Sequence, residues 1–476
     1  MRIQAPGHFR SVDVFAQHLR TIDPTWEIDA ELGGPGGALA QPIEVHGQTL
    51  GNRFACHPME GWDGTGDGQA TDLTLRRWAN FGRSGAALVW GGEAFAVQRD
   101  GRANDRQLYL DPAVDAGATM AKLLAALREG ERDAGGSDSF VGLQLTHSGR
   151  FSRPDGPPAP RNGQRHPVLA IKYPHTADAP VLTDGELEQI GDNYVRSAKL
   201  AQEAGFDFVD VKSCHGYLLH ELLGARQRDG SYGGATLADR TRLFERIVAG
   251  IRRDCPGLHI GVRLSLADLV PFEKDPETRL GRPMACELPY LHGFGVDAQH
   301  PDRFDMTEPM QLLRRYEELG IELVNVTLGS PYYNPHLQRP AAYPPSDGYQ
   351  PPADPLQFVK VHLDAVRDAK RAFPKLKFVG TGYTYLQEWL AHCGQHEVAQ
   401  GHVDFVGLGR MLLSYPDLPR DVIAGNDLQK KRICRTFSDC TTGPRNGMIS
   451  GCFPLDPFYK KMPEAARIKE LRSAAK

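Results

Sequence analysis

The sequence is poor in three features that would mark a specialised class of protein: cysteine, long apolar runs and net charge. Eight cysteines among 476 residues, mostly far apart along the chain, do not make a disulfide framework and fit a reducing compartment. No run of about 18 apolar residues occurs, and no charged and then apolar leader opens the chain, so neither a membrane span nor secretion is indicated. The net charge of -4, with acids and bases interspersed, gives no basic footprint for nucleic acid or for an anionic membrane. We therefore expect a cytoplasmic enzyme that binds a small molecule, with no nucleic-acid or membrane partner, and the sequence leaves a homo-oligomer open.

Short apolar runs of strand length recur along the chain and alternate with segments of helical periodicity. The eight runs are NRFACHP from Asn52, AALVWGG from Ala86, FVGLQLTH from Phe140, FDFVDVK from Phe206, HIGVRLS from His259, ELVNVTLG from Glu322, KFVGTG from Lys377 and DFVGLGR from Asp404. Alternating strands and helices favour parallel pairing, so we predict an α/β fold, a (β/α)8 TIM barrel with N- and C-terminal extensions. A doubly wound open sheet is the alternative, but GTGYTY from Gly380 supplies only the first two glycines of a dinucleotide fingerprint.

Three segments are predicted along the chain. Residues 1–42 form an N-terminal extension, residues 43–425 the barrel, and residues 426–476 a C-terminal extension that carries Cys434, Cys440 and Cys452. The barrel is the segment in which strand and helix patterns alternate.

Polar side chains fall on the inward face of four adjacent predicted strands, near their carboxyl ends. Gln144, Lys212, Arg263 and Asn325 alternate with apolar residues that face the outer helices. An ordinary barrel packs branched aliphatic side chains at such positions. The pattern favours a polar ligand, and a hydrogen-bond network that satisfies itself is the structural alternative.

Glycines end the seventh and eighth predicted strands, where barrels commonly bind phosphate through backbone amides. Gly382 ends one strand, and Gly409 with Arg410 ends the next. Glycine lets the backbone approach a phosphate closely, and arginine adds a charge-assisted contact. Tight turns that use glycine only for backbone geometry are the alternative interpretation.

A reactive-looking cluster, DVKSCHGYLLHELL from Asp210, follows the fourth predicted strand. It contains a lysine, a cysteine, a histidine and a tyrosine, but His215 and His220 are five residues apart and lack the HExxH pattern. We therefore expect no metal site here.

In these motifs the sequence resembles the old yellow enzyme family of FMN-dependent oxidoreductases, in the branch of dienoyl-CoA reductase and trimethylamine dehydrogenase. The resemblance runs from about Ile43 to about Pro419. It rests on NRFACHPM, QLTHSGR, CHGYLLHELL, YGGATLADRTRLF from Tyr232, VRLS from Val262, and DFVGLGR with YPDLP from Tyr415. The resemblance implies a (β/α)8 barrel with FMN across its carboxyl-terminal mouth, and NAD(P)H as electron donor.

The resemblance also implies which residues bind the cofactor. Gln144 would hydrogen-bond the pyrimidine edge of the flavin, and Arg263 would face its N1 edge and stabilise negative charge there. Pro58 and Met59 would line the flavin from strand one. Gly382, Gly409 and Arg410 would hold its phosphate.

On the substrate side, the resemblance implies that Lys212 and His215 bind the activating oxygen of an alkene and that Tyr217 donates the proton. The family has a histidine where this chain has Lys212, and the added positive charge makes an anionic substrate compatible. The structural alternative for Lys212 is an internal ion pair with Asp210. We also expect the loop of residues 267–308 and the aromatic stretch from Ser330 to cover the site as lids.

The related branch binds an iron–sulfur cluster through four cysteines, but this chain offers only Cys434, Cys440 and Cys452, with Phe437 at the second position. A cluster is therefore not expected. The primary hypothesis is an FMN-dependent, NAD(P)H-consuming ene-reductase. A flavin-dependent amine dehydrogenase or N-demethylase is the alternative, favoured by Glu60 and the aromatic lid. A flavin-binding redox sensor is the non-enzymatic alternative.

Overall fold

Eight parallel strands form the centre of the protein, a computed structural model that describes residues 3–111, 113–136 and 138–474. The strands are β1 (Phe54–Cys56), β2 (Leu88–Val89), β3 (Phe140–Thr146), β4 (Phe208–Val211), β5 (His259–Ser265), β6 (Leu323–Thr327), β7 (Lys377–Gly380) and β8 (Phe405–Leu408). Each strand pairs in parallel with the next, and β8 pairs back with β1, with Leu408 opposite Cys56. The barrel is closed, so the predicted fold is confirmed and the open-sheet alternative is wrong.

A helix follows each strand along the chain. The helices are α1 (Asp72–Arg83), α2 (Ala116–Asp133), α3 (Asp184–Ala204), α4 (Leu237–Asp254), α5 (Thr307–Glu318), α6 (Pro355–Ala372), α7 (Leu390–Ala399) and α8 (Leu418–Ala424). Local chemistry sets their ends. In α3, Thr183 and Glu186 form a capping box at the start, and Gly205 adopts a left-handed conformation with φ 96° at the end.

Shorter elements decorate the barrel. The additional strands are Ile43–Val45, Gln48–Leu50, Ala94–Ala96, Phe272–Lys274 and Gly281–Pro283. The additional α-helices are Val12–Ile22, Pro167–Lys172, Leu218–Leu223, Pro335–Gln338, Arg410–Ser414, Asp439–Arg445 and Glu464–Ala474. The 3-10 helices are Pro6–His8, Gly34–Gly36, Ala38–Ala40, Arg99–Gly101, Gly149–Phe151, Pro174–Thr176, Tyr383–Trp389 and Tyr459–Lys461.

Apolar side chains fill the amino-terminal end of the barrel. Phe140, Phe208 and Phe405, each at the start of its strand, form one buried cluster. Ile43 and Val45 of an antiparallel hairpin belong to the same cluster and close this end. The polar inward residues therefore lie at the opposite, carboxyl end, where barrel enzymes carry their sites.

The two extensions lie in different places. The N-terminal one runs along α6 and α7: Asp23 pairs with Lys360 at 2.8 Å, and Asp29 accepts a hydrogen bond from Gln395 at 2.6 Å. The C-terminal one reaches the carboxyl end of the barrel, where Arg445 lines the central cavity. Within the described part of the chain, no helix combines the length and apolarity needed to cross a membrane.

Candidate active site

A cavity of about 610 Å³ lies at the carboxyl ends of the strands. It is lined by all ten residues that the sequence predicted for the site: Pro58, Met59, Gln144, Lys212, His215, Tyr217, Arg263, Gly382, Gly409 and Arg410. They come from β1, β3, β4, β5, β7 and β8 or from the turns that directly follow those strands. The structure therefore brings the predicted residues together, and their roles remain predictions.

Asp210 organises the base of the cavity. Its buried carboxylate accepts hydrogen bonds from Gln144 Nε2 at 2.6 Å, Trp90 Nε1 at 2.8 Å and the backbone N–H of Arg263 at 2.7 Å. Burial raises the pKa of this carboxyl, and the three donors oppose that rise. Asp210 thus fixes the Gln144 amide and the strand that carries Arg263.

The Arg263 guanidinium lines the cavity with one of its nitrogens incompletely hydrogen-bonded among the described residues. Its Nε is buried and has no hydrogen-bond partner among the described residues. Burial lowers the pKa of Arg263, although arginine stays protonated in proteins. A buried, incompletely bonded cation at the cavity wall is suited to a ligand that carries negative charge or an acceptor atom.

Two guanidinium groups lie together at the glycine-rich end of the cavity. Arg410 donates to the carbonyl of Pro340 at 3.0 Å, and Arg339 donates to the Thr441 hydroxyl. Arg410 Nη1 and Arg339 Nη2 are buried without partners among the described residues. Burial and the neighbouring Arg410 lower the pKa of Arg339.

Beside these arginines, glycines leave the cavity wall without side chains, so a ligand can approach the backbone. Gly382 adopts a left-handed conformation with φ 101°, and a Cβ on Gly407 would lie 2.3 Å from the His57 ring. Two cationic N–H groups that lack partners within the described chain, beside a glycine-lined wall, are chemically suited to bind a dianion such as phosphate.

His215 sits in a constrained turn after β4. It has a left-handed backbone with φ 67°, its N–H donates to Ser265 Oγ at 3.1 Å, and its carbonyl accepts from Ser330 Oγ at 2.8 Å. Its Nε2 lies 3.0 Å from Gln338 Nε2. Burial and the cations Arg263 and Lys212 lower the pKa of His215, so the imidazole is neutral at neutral pH.

Lys212 and Tyr217 meet across the same turn. The Lys212 ammonium lies 3.9 Å from the centroid of the Tyr217 ring, a cation–π distance. Asp210 is occupied by its three donors, and the described residues contain no ion pair between it and Lys212, so the structural alternative for Lys212 is wrong. Burial lowers the pKa of Lys212 and raises that of Tyr217 well above 10, so the phenol is protonated at neutral pH.

The lids differ in part from the expectation. Tyr332, Gln338 and Arg339 from the stretch after β6 line the cavity, as predicted for that stretch. Among the described lining residues, none comes from residues 267–308. Instead, Asp268 accepts a hydrogen bond from the Tyr333 hydroxyl at 2.7 Å, and the Phe272 N–H donates to the Tyr333 carbonyl at 3.0 Å. This loop therefore supports the aromatic lid.

Three cysteines of the C-terminal extension border a small pocket next to Arg410. Cys434 and Cys452 are buried, Cys440 is half-buried, and all three are free thiols. Among the described residues, no group of three or more histidine, cysteine or acidic side chains has a geometry suited to a metal ion. The prediction about an iron–sulfur cluster stays a prediction.

Comparison with known proteins decides the family. Residues 38–302 match the family model of the NADH:flavin oxidoreductase / NADH oxidase family, more than half of the chain. The chain belongs to this family. The resemblance inferred from the motifs is confirmed, and the protein is an FMN-dependent oxidoreductase that uses a nicotinamide.

Two similar proteins have names that fit the NADH:flavin oxidoreductase family. It is 26% identical over 305 residues to an NADPH dehydrogenase of Geobacillus sp. (strain WCH70), covering 61% of this chain and 73% of that relative. It is 26% identical over 403 residues to an NADH:flavin oxidoreductase of Gibberella zeae, covering 80% and 83%.

Two solved structures share the fold. A 2-naphthoyl-CoA reductase matches with a TM-score of 0.66 at 17% identity, over 89% of this chain and 57% of that chain. Morphinone reductase matches with a TM-score of 0.55 at 19% identity, over 84% and 92%. At these identities the likeness supports the barrel alone.

The cavity of this family member fits FMN. An amide held by Asp210, a buried arginine with an unbonded Nε, and a pair of arginines with unbonded N–H groups match a polar ring edge and a phosphate. Gln144, Arg263 and Arg410 would hold the cofactor, joined by Arg339. Sequence reasoning missed Arg339 because it lies in an irregular stretch with no strand or glycine signal.

Glu60 lines the cavity with a buried carboxyl group. Its Oε1 is buried without a partner in the described chain. Burial raises the pKa of this carboxyl to about 7, and Lys212 partly offsets the rise. Near neutral pH the group is therefore close to half-protonated.

Proposed function

We propose that the protein is an ene-reductase that uses NAD(P)H to reduce a carbonyl-activated alkene, with anionic alkenes among its substrates. The observation that carries this is the placement of Lys212, His215 and Tyr217, from one turn, on the cavity that also holds Gln144 and Arg263. When bound, FMN supplies hydride transfer from NAD(P)H to the alkene, and the protein supplies orientation, charge and a proton.

Lys212 and His215 would bind the oxygen that activates the alkene. A neutral imidazole has one N–H donor, and an ammonium has three, so the two side chains can together stabilise an enolate as negative charge develops. Gln338 beside His215 Nε2 fixes the orientation of the ring.

Tyr217 would donate the proton to the carbon that becomes carbanion-like. Its pKa lies well above 10 because the phenol is buried, so the side chain is in its acid form at neutral pH. A protonated hydroxyl on the cavity wall, adjacent to the oxygen-binding pair, is what general-acid catalysis needs.

Amine oxidation is the second candidate, favoured by Glu60 and the aromatic Trp62 in the cavity wall. The balance of charge opposes it. The described lining residues include eight basic side chains against the carboxylates of Glu60 and Asp347; the basic ones are Arg150, Arg153, Lys172, Lys212, Arg263, Arg339, Arg410 and Arg445. A cationic amine would be repelled by such a lining.

Anaerobic rapid mixing of the holoenzyme separates the two candidates. NADPH or NADH should bleach the flavin, and an enone should then restore its absorbance, while methylated amines should leave the oxidised flavin unchanged. Bleaching by amines but by neither pyridine nucleotide would overturn the proposal in favour of amine oxidation.

A further inference from the structure

Tyr332 lies directly beside Tyr217. Their hydroxyl oxygens are 2.9 Å apart, and both side chains line the central cavity. The two rings are 6.0 Å apart between centroids and tilted by 32°. Tyr217 therefore has a second phenol within hydrogen-bond distance of the oxygen that gives up a proton.

Contacts on several sides hold Tyr332 in place. Its ring stacks on Phe151 at 3.9 Å with an interplanar angle of 7°. Its N–H donates to Ser330 Oγ at 3.2 Å, and its carbonyl accepts from the Tyr173 hydroxyl at 2.7 Å. Because Ser330 also donates to the carbonyl of His215, the segment is tied to the turn that carries Tyr217. These contacts hold the Tyr332 hydroxyl beside that of Tyr217, although the segment that carries Tyr332 is irregular.

The electrostatic setting differs between the two phenols. Burial raises the pKa of both, that of Tyr217 well above 10 and that of Tyr332 to about 12. Glu60 also raises the pKa of Tyr332, whereas the hydrogen bond with Tyr217 and the cations Arg445 and Arg153 lower it. Negative charge left after a proton transfer is stabilised on Tyr332 by Arg445 and Arg153, and on Tyr217 by the Lys212 ammonium 3.9 Å from its ring.

We propose that Tyr332 is the second member of a proton relay that reloads Tyr217 as Tyr217 protonates the substrate. This rests on the proposed ene-reductase function. The O–H bond of Tyr217 breaks as the C–H bond of the product forms, and the O–H bond of Tyr332 breaks as a new O–H bond forms on Tyr217. Water at the open side of the cavity returns a proton to Tyr332, leaving hydroxide to the buffer. Tyr332 acts through Tyr217 and is a relay residue.

Tyr332→Phe tests the relay because it removes the hydroxyl and keeps the ring that stacks on Phe151. In the holoenzyme, flavin reduction by NADPH should stay within about twofold of wild type. Reoxidation by an enone should slow by about tenfold or more, since positioned proton donors contribute rate factors of about this size and above. In wild type, a plot of that rate against the deuterium fraction of the solvent should be curved, because two protons move in the same step. In Tyr332→Phe the plot should be linear, because only one proton moves.

Tyr333→Phe is the matched control. It removes a hydroxyl one residue along, where Tyr333 donates to Asp268 at 2.7 Å outside the cavity lining, and it should keep the curved dependence. The linear dependence in Tyr332→Phe alone supports the relay even if both variants lose some stability. An unchanged rate and an unchanged curve in Tyr332→Phe, with alkene turnover abolished in Tyr217→Phe, would overturn the relay and leave the ene-reductase proposal standing. Full alkene turnover in Tyr217→Phe, or none in wild type, would overturn both.

Discussion

The ammonium of Lys212 and the ring of Tyr217 form a cation–π pair with a separation of 3.9 Å. This pair places a positive charge beside the proposed proton donor, in a cavity where the other substrate-side donor, His215, is neutral. Lys212 can therefore bind an anionic substrate group next to the phenol, because Asp210 is committed to its own three donors. Glu60, the other acid that acts on Lys212, has its pKa raised by burial to about 7.

Lys212→Met should alter substrate preference according to substrate charge. The variant keeps most of the apolar stem and loses the cation. The kcat/KM for an unsaturated carboxylate should fall by about tenfold to a hundredfold, the effect of losing one charged hydrogen bond. The value for the matched methyl ester should fall by about threefold or less. Steady-state kinetics on the acid and ester pair provide the comparison, and equal losses on both would show that Lys212 does not recognise charge.

Arg339→Met should weaken FMN and spare riboflavin. Arg339 and Arg410 each present a buried N–H group, without a partner in the described part of the chain, at the glycine-rich end of the cavity, where we predict that the FMN phosphate binds. The Kd for FMN should rise about tenfold or more, as expected for one charge-assisted contact. Titration of the apoprotein with each flavin, followed by fluorescence quenching, measures both constants. A parallel rise for riboflavin would mean that the substitution disturbs the ring site and not the phosphate site.

The barrel could be predicted from sequence because its signal is local. All eight barrel strands lie within the eight apolar runs, and inward residues such as Gln144 and Arg263 follow from the period of two along a strand. Parallel strands deliver their carboxyl ends to the same side, so residues scattered over the chain converge without further information.

The lid and its residues could not be predicted in detail, because their positions depend on contacts between distant segments. Tyr332 reaches Tyr217 only because Ser330 bonds the carbonyl of His215 and Asp268 supports Tyr333. Arg339 faces Arg410 only because the C-terminal extension returns to the barrel and offers Thr441. None of these pairings leaves a periodic pattern in the sequence.

Gly407→Ala should destabilise the barrel at its eighth strand. A Cβ there would lie 2.3 Å from the His57 ring and 2.4 Å from the carbonyl oxygen of Gly380. Backbone on one side and a ring held by Asn325 on the other leave no free direction for relief. We expect a loss of about 1–3 kcal/mol in the free energy of unfolding, as for overpacked cores. Chemical denaturation measures it. Gly51→Ala is the control, since its added Cβ would meet no atom within 4 Å, and a loss as large in that variant would contradict the steric explanation.

Glu60→Gln should make stability less dependent on pH. Burial raises the pKa of Glu60 from 4.5 to about 7, so between those values the folded protein binds more protons than the unfolded chain. Stability from this group is therefore fully present below about pH 4.5 and is lost as the pH rises through about 7. The loss at pH 8 is about 3 kcal/mol, since the pKa rises from 4.5 to about 7 and each pKa unit corresponds to about 1.4 kcal/mol.

The uncharged glutamine carries no such loss. The variant should match wild type at about pH 5 and exceed it in melting temperature at about pH 8. Thermal unfolding of both holoenzymes across this range checks the prediction. Asp268, whose pKa burial also raises to about 7, titrates in both proteins, so its effect cancels in the difference. A difference in melting temperature that stays constant from about pH 5 to about pH 8 would contradict the prediction. It would show that Glu60 is ionised throughout this range, because its attraction to Lys212 outweighs the cost of burying its charge.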